Sequence, residues 1–179
     1  MSRSTRILAL ACTAALALFG LTSIASAFTV SPTTITATGR GQTFRSTTGI
    51  STACDQRFTI NITTPTINLP ITPGTQIGTV SNQSFTNCTS VGVSALGTWP
   101  LRLNSVTLSG GAVSSVLLII PAGILAGGIC LYSGNIGASI ANGASTAQLL
   151  AGSFTGSGLC GTATTNAITY ALSSAVIIR

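Results

Sequence analysis

The strongest constraint on what this chain can fold into is a two-residue hydrophobic period. Phe58, Ile60 and Ile62 alternate with Thr59, Asn61 and Thr63, which sets three apolar side chains on one face of a strand and three polar ones on the other. Burying each apolar member stabilises the fold by about 1.5 to 3 kcal/mol. Short segments of β character also lie at residues 33–38, 77–80, 101–108, 116–120, 168–172 and 176–178. Within 101–108, Leu101 and Leu103 share one parity and Val106 and Leu108 the other, so the spacing predicts a bulge near Asn104-Ser105.

Turn-forming clusters punctuate these segments at residues 70–74, Gly110-Gly111, Gly127-Gly128 and Asn142-Gly143. Many short strands separated by frequent turns predict an all-β, single-domain antiparallel fold, a sandwich first and a closed barrel second. Residues 113–132 are the one stretch open to confusion with a membrane helix. They contain Pro121, Gly123 and Gly127-Gly128 around a β-branched, bulky core at 116–120, and so read as a buried strand followed by a loop, with a short helical turn at 123–126 as the alternative.

The N-terminus reads as an export signal. Arg3 and Arg6 precede an apolar run from Ile7 to about Leu21, and Ala25-Ser26-Ala27 supplies the small residues of a cleavage site. The run falls short of the roughly 20 residues a membrane-spanning helix needs. Residues 1–27 are therefore expected to be a signal peptide and 28–179 an extracytoplasmic domain. Lipid attachment at Cys12 and an uncleaved segment are the alternatives.

Beyond residue 27 there are four cysteines, Cys54, Cys88, Cys130 and Cys160. An even number in an oxidising compartment predicts two disulfides. Of the three pairings, the order along the chain favours Cys54 with Cys88 and Cys130 with Cys160, each worth about 3 to 4 kcal/mol in the chain-entropy treatment. With no Cys-x-x-Cys pair and no His, a zinc or redox site is disfavoured.

Charge is scarce. The same region holds Arg40, Arg45, Arg57, Arg102 and Arg179 against Asp55, with no Lys and no Glu. Five scattered arginines do not make the cationic stripe a nucleic-acid binder needs; they read first as solvated charges that keep the protein soluble, with Arg40, Arg45 and Arg57 gathered on one face toward an acidic polysaccharide or lipid headgroup as the alternative. One carboxylate cannot build a catalytic triad, a two-carboxylate glycosidase site or a calcium cage. No catalytic residue, metal site or cofactor is therefore expected, and Asp55 is assigned a turn hydrogen bond or a local ion pair. The Asn-x-Ser/Thr patterns at Asn61, Asn82 and Asn87 are read as composition. Trp99, the only tryptophan, is expected either to pack against the first disulfide or to present an aromatic face to a sugar or lipid. The threonines Thr34, Thr36 and Thr38 suggest a hydroxyl ladder, but one without the long fixed period that ordering ice requires.

A faint repeat runs through the chain. Ser84-Phe85-Thr86 leads to Cys88 and Ser153-Phe154-Thr155 to Cys160, as a duplicated strand-disulfide unit or chance in a Ser/Thr/Gly-rich chain would give. These two approaches, together with Leu96-Gly97-Thr98-Trp99-Pro100 and Cys130, resemble the bacterial alkane oxidation protein activator family over roughly residues 80 to 165. Here the aromatic step is Thr98-Trp99-Pro100 rather than Leu-Pro-Trp. The resemblance implies a surface-associated role linked to biofilm or to growth on hydrophobic substrates, and carries no catalytic residues.

These readings together predict a secreted or cell-envelope protein without catalysis, self-associating or adhesive. The second expectation is a binding module for an apolar ligand such as an alkane or lipid, with Trp99 as its contact. A third, an outer-envelope pore, needs strands of about nine or more residues with apolar-out alternation, and most segments read shorter.

Overall fold

The computed structural model describes residues 27–179. The expected signal segment, including Cys12, lies outside these residues except for Ala27. Thirteen strands follow in chain order: β1 (Ala27–Ser31), β2 (Thr34–Ser46), β3 (Ser51–Ile62), β4 (Thr66–Asn68), β5 (Thr75–Thr86), β6 (Val93–Ala95), β7 (Trp99–Ser109), β8 (Ala112–Ala126), β9 (Cys130–Ala141), β10 (Ala144–Leu149), β11 (Gly152–Gly156), β12 (Thr162–Thr165) and β13 (Ile168–Ile178). A single 3-10 turn, Gly158–Cys160, sits between β11 and β12.

Every pairing is antiparallel, and all the strands belong to one sheet. The pairings close it on itself. Proceeding round, β2 pairs β3, β3 pairs β5, β5 pairs β7, β7 pairs β8 and β8 pairs β9. The next course is split in two, β10 and β11 both lying against β9. The last is split likewise: β12 pairs β11, β13 pairs β10, and both pair β2 to complete the ring. Eight consecutive courses thus form an up-and-down meander. The expected all-β antiparallel domain with two disulfides is present. The two faces that pack across its core, as in a sandwich, are joined by hydrogen bonds at both sides.

Local chemistry explains the turns. Gly110 and Gly111, both at positive φ (59° and 83°), connect β7 to β8 by a two-residue hairpin, the turn whose twist matches its flanking strands. The predicted bulge is found between Leu103 and Ser105. It restores Val106 to the inward face opposite buried Val116. The loop expected after residue 120 is instead strand: β8 runs on through Pro121 and Gly123 to Ala126, paired with β9 throughout. Proline is tolerated there because Pro121 has no strand partner on the other side, where β7 pairing has ended at Ile119 and β6 pairing has yet to begin at Ile124.

The core lies inside the ring. Ile35, Leu101, Leu103, Val80, Tyr132 and Tyr170 are almost fully buried. An eight-stranded ring has an interior just wide enough for side chains to fill. At the lower end β1 pairs the end of β13 and also β4, bringing buried Phe28 and Ile67 against the core. The cavity left among Phe28, Ile67, Leu103 and Val116 is about 20 Å³. The outward positions of β2, β3 and β5 are Thr34, Thr36, Thr38, Thr59, Asn61, Thr79 and Ser81, exposed or half-buried. Strands of 11 to 15 residues meet the length a pore needs, contrary to the sequence reading. Their alternation over β2, β3 and β5 is polar outward and apolar inward, the reverse of a water-filled membrane barrel.

Candidate functional site

Both disulfides form as the cysteine order suggested, and both clasp the same, upper end of the ring. Cys54 on β3 is bonded to Cys88 beyond the end of β5, and Cys130 at the start of β9 to Cys160 in the 3-10 turn after β11. Beneath them lies a cavity of about 20 Å³ whose walls include Trp99, Phe85, Phe154, Ile136, Cys54 and Gln42. Both phenylalanines of the Ser-Phe-Thr repeats therefore reach one space from different parts of the ring.

Trp99 is buried, 6% exposed. It shares this wall with Cys54, and its indole Nε1 donates to the Gly123 carbonyl at 3.2 Å. Its ring is therefore buried and not presented on the surface. A tryptophan so placed reports on whatever enters the cavity.

The polar side of the cavity escaped the sequence reading. Gln42 is 3% exposed and Tyr170 fully buried, with the Tyr170 hydroxyl against the side-chain oxygens of Gln42, at 3.0 Å, and Gln56. A phenol carries one proton and cannot donate to both. The chain balances when Tyr170 donates to Gln56 and accepts from the Gln42 amide turned to present its NH₂. In the orientation present, the Gln42 Nε2 has no protein partner, and Gln42 lines a space large enough for about one water-sized group. Burial pushes the Tyr170 phenol well above the ordinary tyrosine range. Gln42 was hidden because β2 shifts register between Gly39 and Gln42, which moves the inward parity from odd to even positions at Gln42 and Phe44.

Four of the six charged side chains among the described residues lie outside, on β2 and β3. Arg40, Arg45, Asp55 and Arg57 occupy this outer face. Arg40, Asp55 and Arg57 line an open groove of about 650 Å³ that reaches Thr169 on β13. Asp55 hydrogen-bonds across strands, not in the turn or local ion pair expected of it. Its carboxylate accepts from the Asn87 side-chain amide at 2.9 Å and from the Gly41 backbone N–H at 3.1 Å. The Asn87 bond lowers its pKa; burial opposes this, and the Gly41 N–H and Arg40 reinforce it. Asn87, at φ 51°, thus ties the end of β5 to the β2 bulge. Asn61 donates to Ser81 at 3.1 Å, and Asn82, at φ 52°, occupies a register shift of β5 against β3.

The arrangement provides a small, mainly apolar cavity with the residues Gln42 and Gln56 on its wall, and an outer face with few charges. Among the described residues no group of three His, Cys, Asp or Glu side chains converges to hold a metal, and no helix is long and apolar enough to cross a membrane. No protein-family model, no curated protein and no solved structure matches the chain.

Proposed function

We propose that this protein is an exported, non-catalytic component of the cell envelope or extracellular matrix that works by adhering through its outer surface. The observation that carries the reading is where the chain leaves its surplus apolar side chains. From Leu103 to Ile178 there is no charged residue. On the outer face of β8 and β9, Leu117, Ile119 and Leu125 are half-buried and Leu131 is exposed. Ring closure leaves the terminal edges of the sheet to β4 and β6, three residues each, so long unguarded edges do not drive association. Contact through side-chain faces is the route that remains. The resemblance to the alkane oxidation protein activators points the same way.

Fractionating the producing cells into medium, envelope and cytosol, followed by non-reducing gels with and without boiling, tests this reading. Recovery in the envelope or matrix as large, heat-labile species is the expected result. Recovery as a free monomer in the medium overturns it.

A second reading, a module for an apolar ligand, is favoured by the Gln42 cavity. At about 20 Å³ it is far smaller than a hydrocarbon chain, so a ligand would have to displace half-buried Phe85 and Val93 from the walls. Titration with medium-chain alcohols should then shift Trp99 fluorescence and raise the melting temperature. Unchanged values for both would rule the ligand out.

A further inference from the structure

We infer that the upper end of the ring is a docking tip for an anionic lipid surface, inserted through Ile129 and Leu159. Ile129 is 80% exposed and Leu159 is 97% exposed. Each immediately precedes a cysteine of the Cys130–Cys160 bridge, whose Cα atoms are 5.5 Å apart. One cystine therefore keeps the two aliphatic residues in one loop cluster at this end, where Leu131 is also 45% exposed. Isolated surface leucines mean little, but a cluster at one projecting end is a different observation.

The tip is also held rigid. The Cys160 carbonyl accepts from the Tyr132 hydroxyl at 2.8 Å and from the Thr48 hydroxyl at 3.3 Å. Ser157 N–H donates to the Leu131 carbonyl at 2.9 Å, and Thr47 N–H to the Thr162 carbonyl at 2.8 Å. Ile129 and Leu159 stand in solvent and not against the barrel. At the lower end Ile67 is buried, Ile71 packs against the core and Leu108 is 41% exposed, about half the exposure of Ile129.

Charge selects the occupant. The upper loops at 47–50, 87–98, 127–129 and 157–161 contain no charged side chain, so none has to be stripped of water when the tip enters an apolar phase. Flanking the tip, Arg45 stands exposed on β2 opposite Thr164, with Arg40 farther down the same strand. Asp55, the one side-chain carboxylate, is occupied by Asn87 and Gly41. Apolar points in front and cations behind match a surface with a hydrocarbon interior and negative headgroups. Two protruding side chains suit a deformable lipid layer better than a rigid protein pocket.

This inference rests on the envelope reading and names the surface concerned. Flotation of the purified protein with phosphatidylcholine vesicles, with and without phosphatidylglycerol, tests it directly. The wild-type chain should float with the anionic vesicles and lose much of that binding at high salt. Ile129→Ser and Leu159→Ser should each weaken partitioning roughly tenfold, as withholding one aliphatic side chain from an apolar phase predicts. Their melting temperatures should stay at the wild-type value, since neither side chain is buried. Arg45→Gln should weaken binding to anionic vesicles alone. A wild-type chain that floats with neither vesicle, or a double tip variant that floats as well as wild type, overturns the tip. Recovery from cells in the envelope without vesicle binding sinks the tip and spares the envelope reading; vesicle binding by a protein found free in the medium does the opposite.

Discussion

The first four courses of the ring, β2, β3, β5 and β7, and the last four, β8, β9, β10 with β11, and β12 with β13, share a covalent plan and differ in surface. In each half a cysteine on the second course is bonded to one just beyond the third: Cys54 to Cys88, and Cys130 to Cys160. In each, a Ser-Phe-Thr step on the third course sends its phenylalanine into the same cavity. The placement is what a duplicated four-strand unit would give. The surfaces do not repeat. Arg40, Arg45, Arg57, Arg102 and Asp55 all lie in the first half, and the second has Arg179 alone. Threonine and asparagine solvate the outer face of the first half, whereas β8 places leucine and isoleucine half-buried outside as well as buried inside. The interior and its bridges set the fold, and the outer face is left free to differ between the halves.

The largest expected effect tests the shared plan. Replacing Cys54 and Cys88 by serine, or Cys130 and Cys160 by serine, should each destabilise the protein by about 3 to 4 kcal/mol, because loops of 34 and 30 residues restrict the unfolded chain to similar extents. Urea unfolding of the two double variants checks this. A large loss in one and almost none in the other would break the equivalence. The second variant should also lose vesicle binding, since the tip depends on its bridge.

A smaller effect separates the two buried tyrosines. Tyr170→Phe removes the partner of two amides, Gln42 and Gln56, and should cost about 1 to 3 kcal/mol, the penalty for stranding buried polar groups. Tyr132→Phe removes one bond to the Cys160 carbonyl and should cost about 0.5 to 1.5 kcal/mol. Alkaline pH sharpens the contrast. The Tyr170 phenol is raised above its ordinary value of 10.0, so the unfolded chain releases that proton first. Its contribution is complete below about pH 10 and declines as pH rises toward the folded value. Stability measured upward from about pH 10 should fall in wild type, and the part due to Tyr170 should be missing in Tyr170→Phe.

How far the sequence disclosed this structure varied along the same division. Where outward positions are polar, as at Thr59 and Asn61, the two-residue period stands out and β3 was legible. Where both faces are apolar, as from Val116 to Leu125, alternation vanishes, and the strand beyond Pro121 was misread as a loop. β9 was missed because Gly134 and Gly137 interrupt the pattern. Gly134 is required by contact: a Cβ there would stand 2.3 Å from the Ser153 carbonyl oxygen. The bridges and the Leu103–Ser105 bulge were readable because each leaves a local mark, an ordered set of cysteines or a change of parity. The Gln42–Tyr170–Gln56 chain was not, since it joins residues up to 128 apart through a register shift that displaces Gln42 from the expected face. The tip was equally hidden, because only the fold shows that Ile129 and Leu159 stand beside one cystine.

The smallest expected effect concerns Asp55, the only side-chain carboxylate, and therefore an acid sensor confined to the first half. Its pKa is held below the usual 3.8, first by the Asn87 hydrogen bond and further by the Gly41 N–H and Arg40. A depressed carboxylate contributes stability that is present above the unfolded value and lost as pH falls through the folded one, so its window lies below about pH 4. Solvent screens the group, which keeps the effect small. Asp55→Asn should lower the melting temperature slightly near neutral pH, and the gap from wild type should close as acid protonates the wild-type carboxyl. Amide exchange should place any acid-induced opening at the ends of β2, β3 and β5, with β8 to β11 unaffected. A gap that stays constant down to about pH 2 would mean that shape rather than charge holds this clamp, because by then an ordinary carboxylate is neutral.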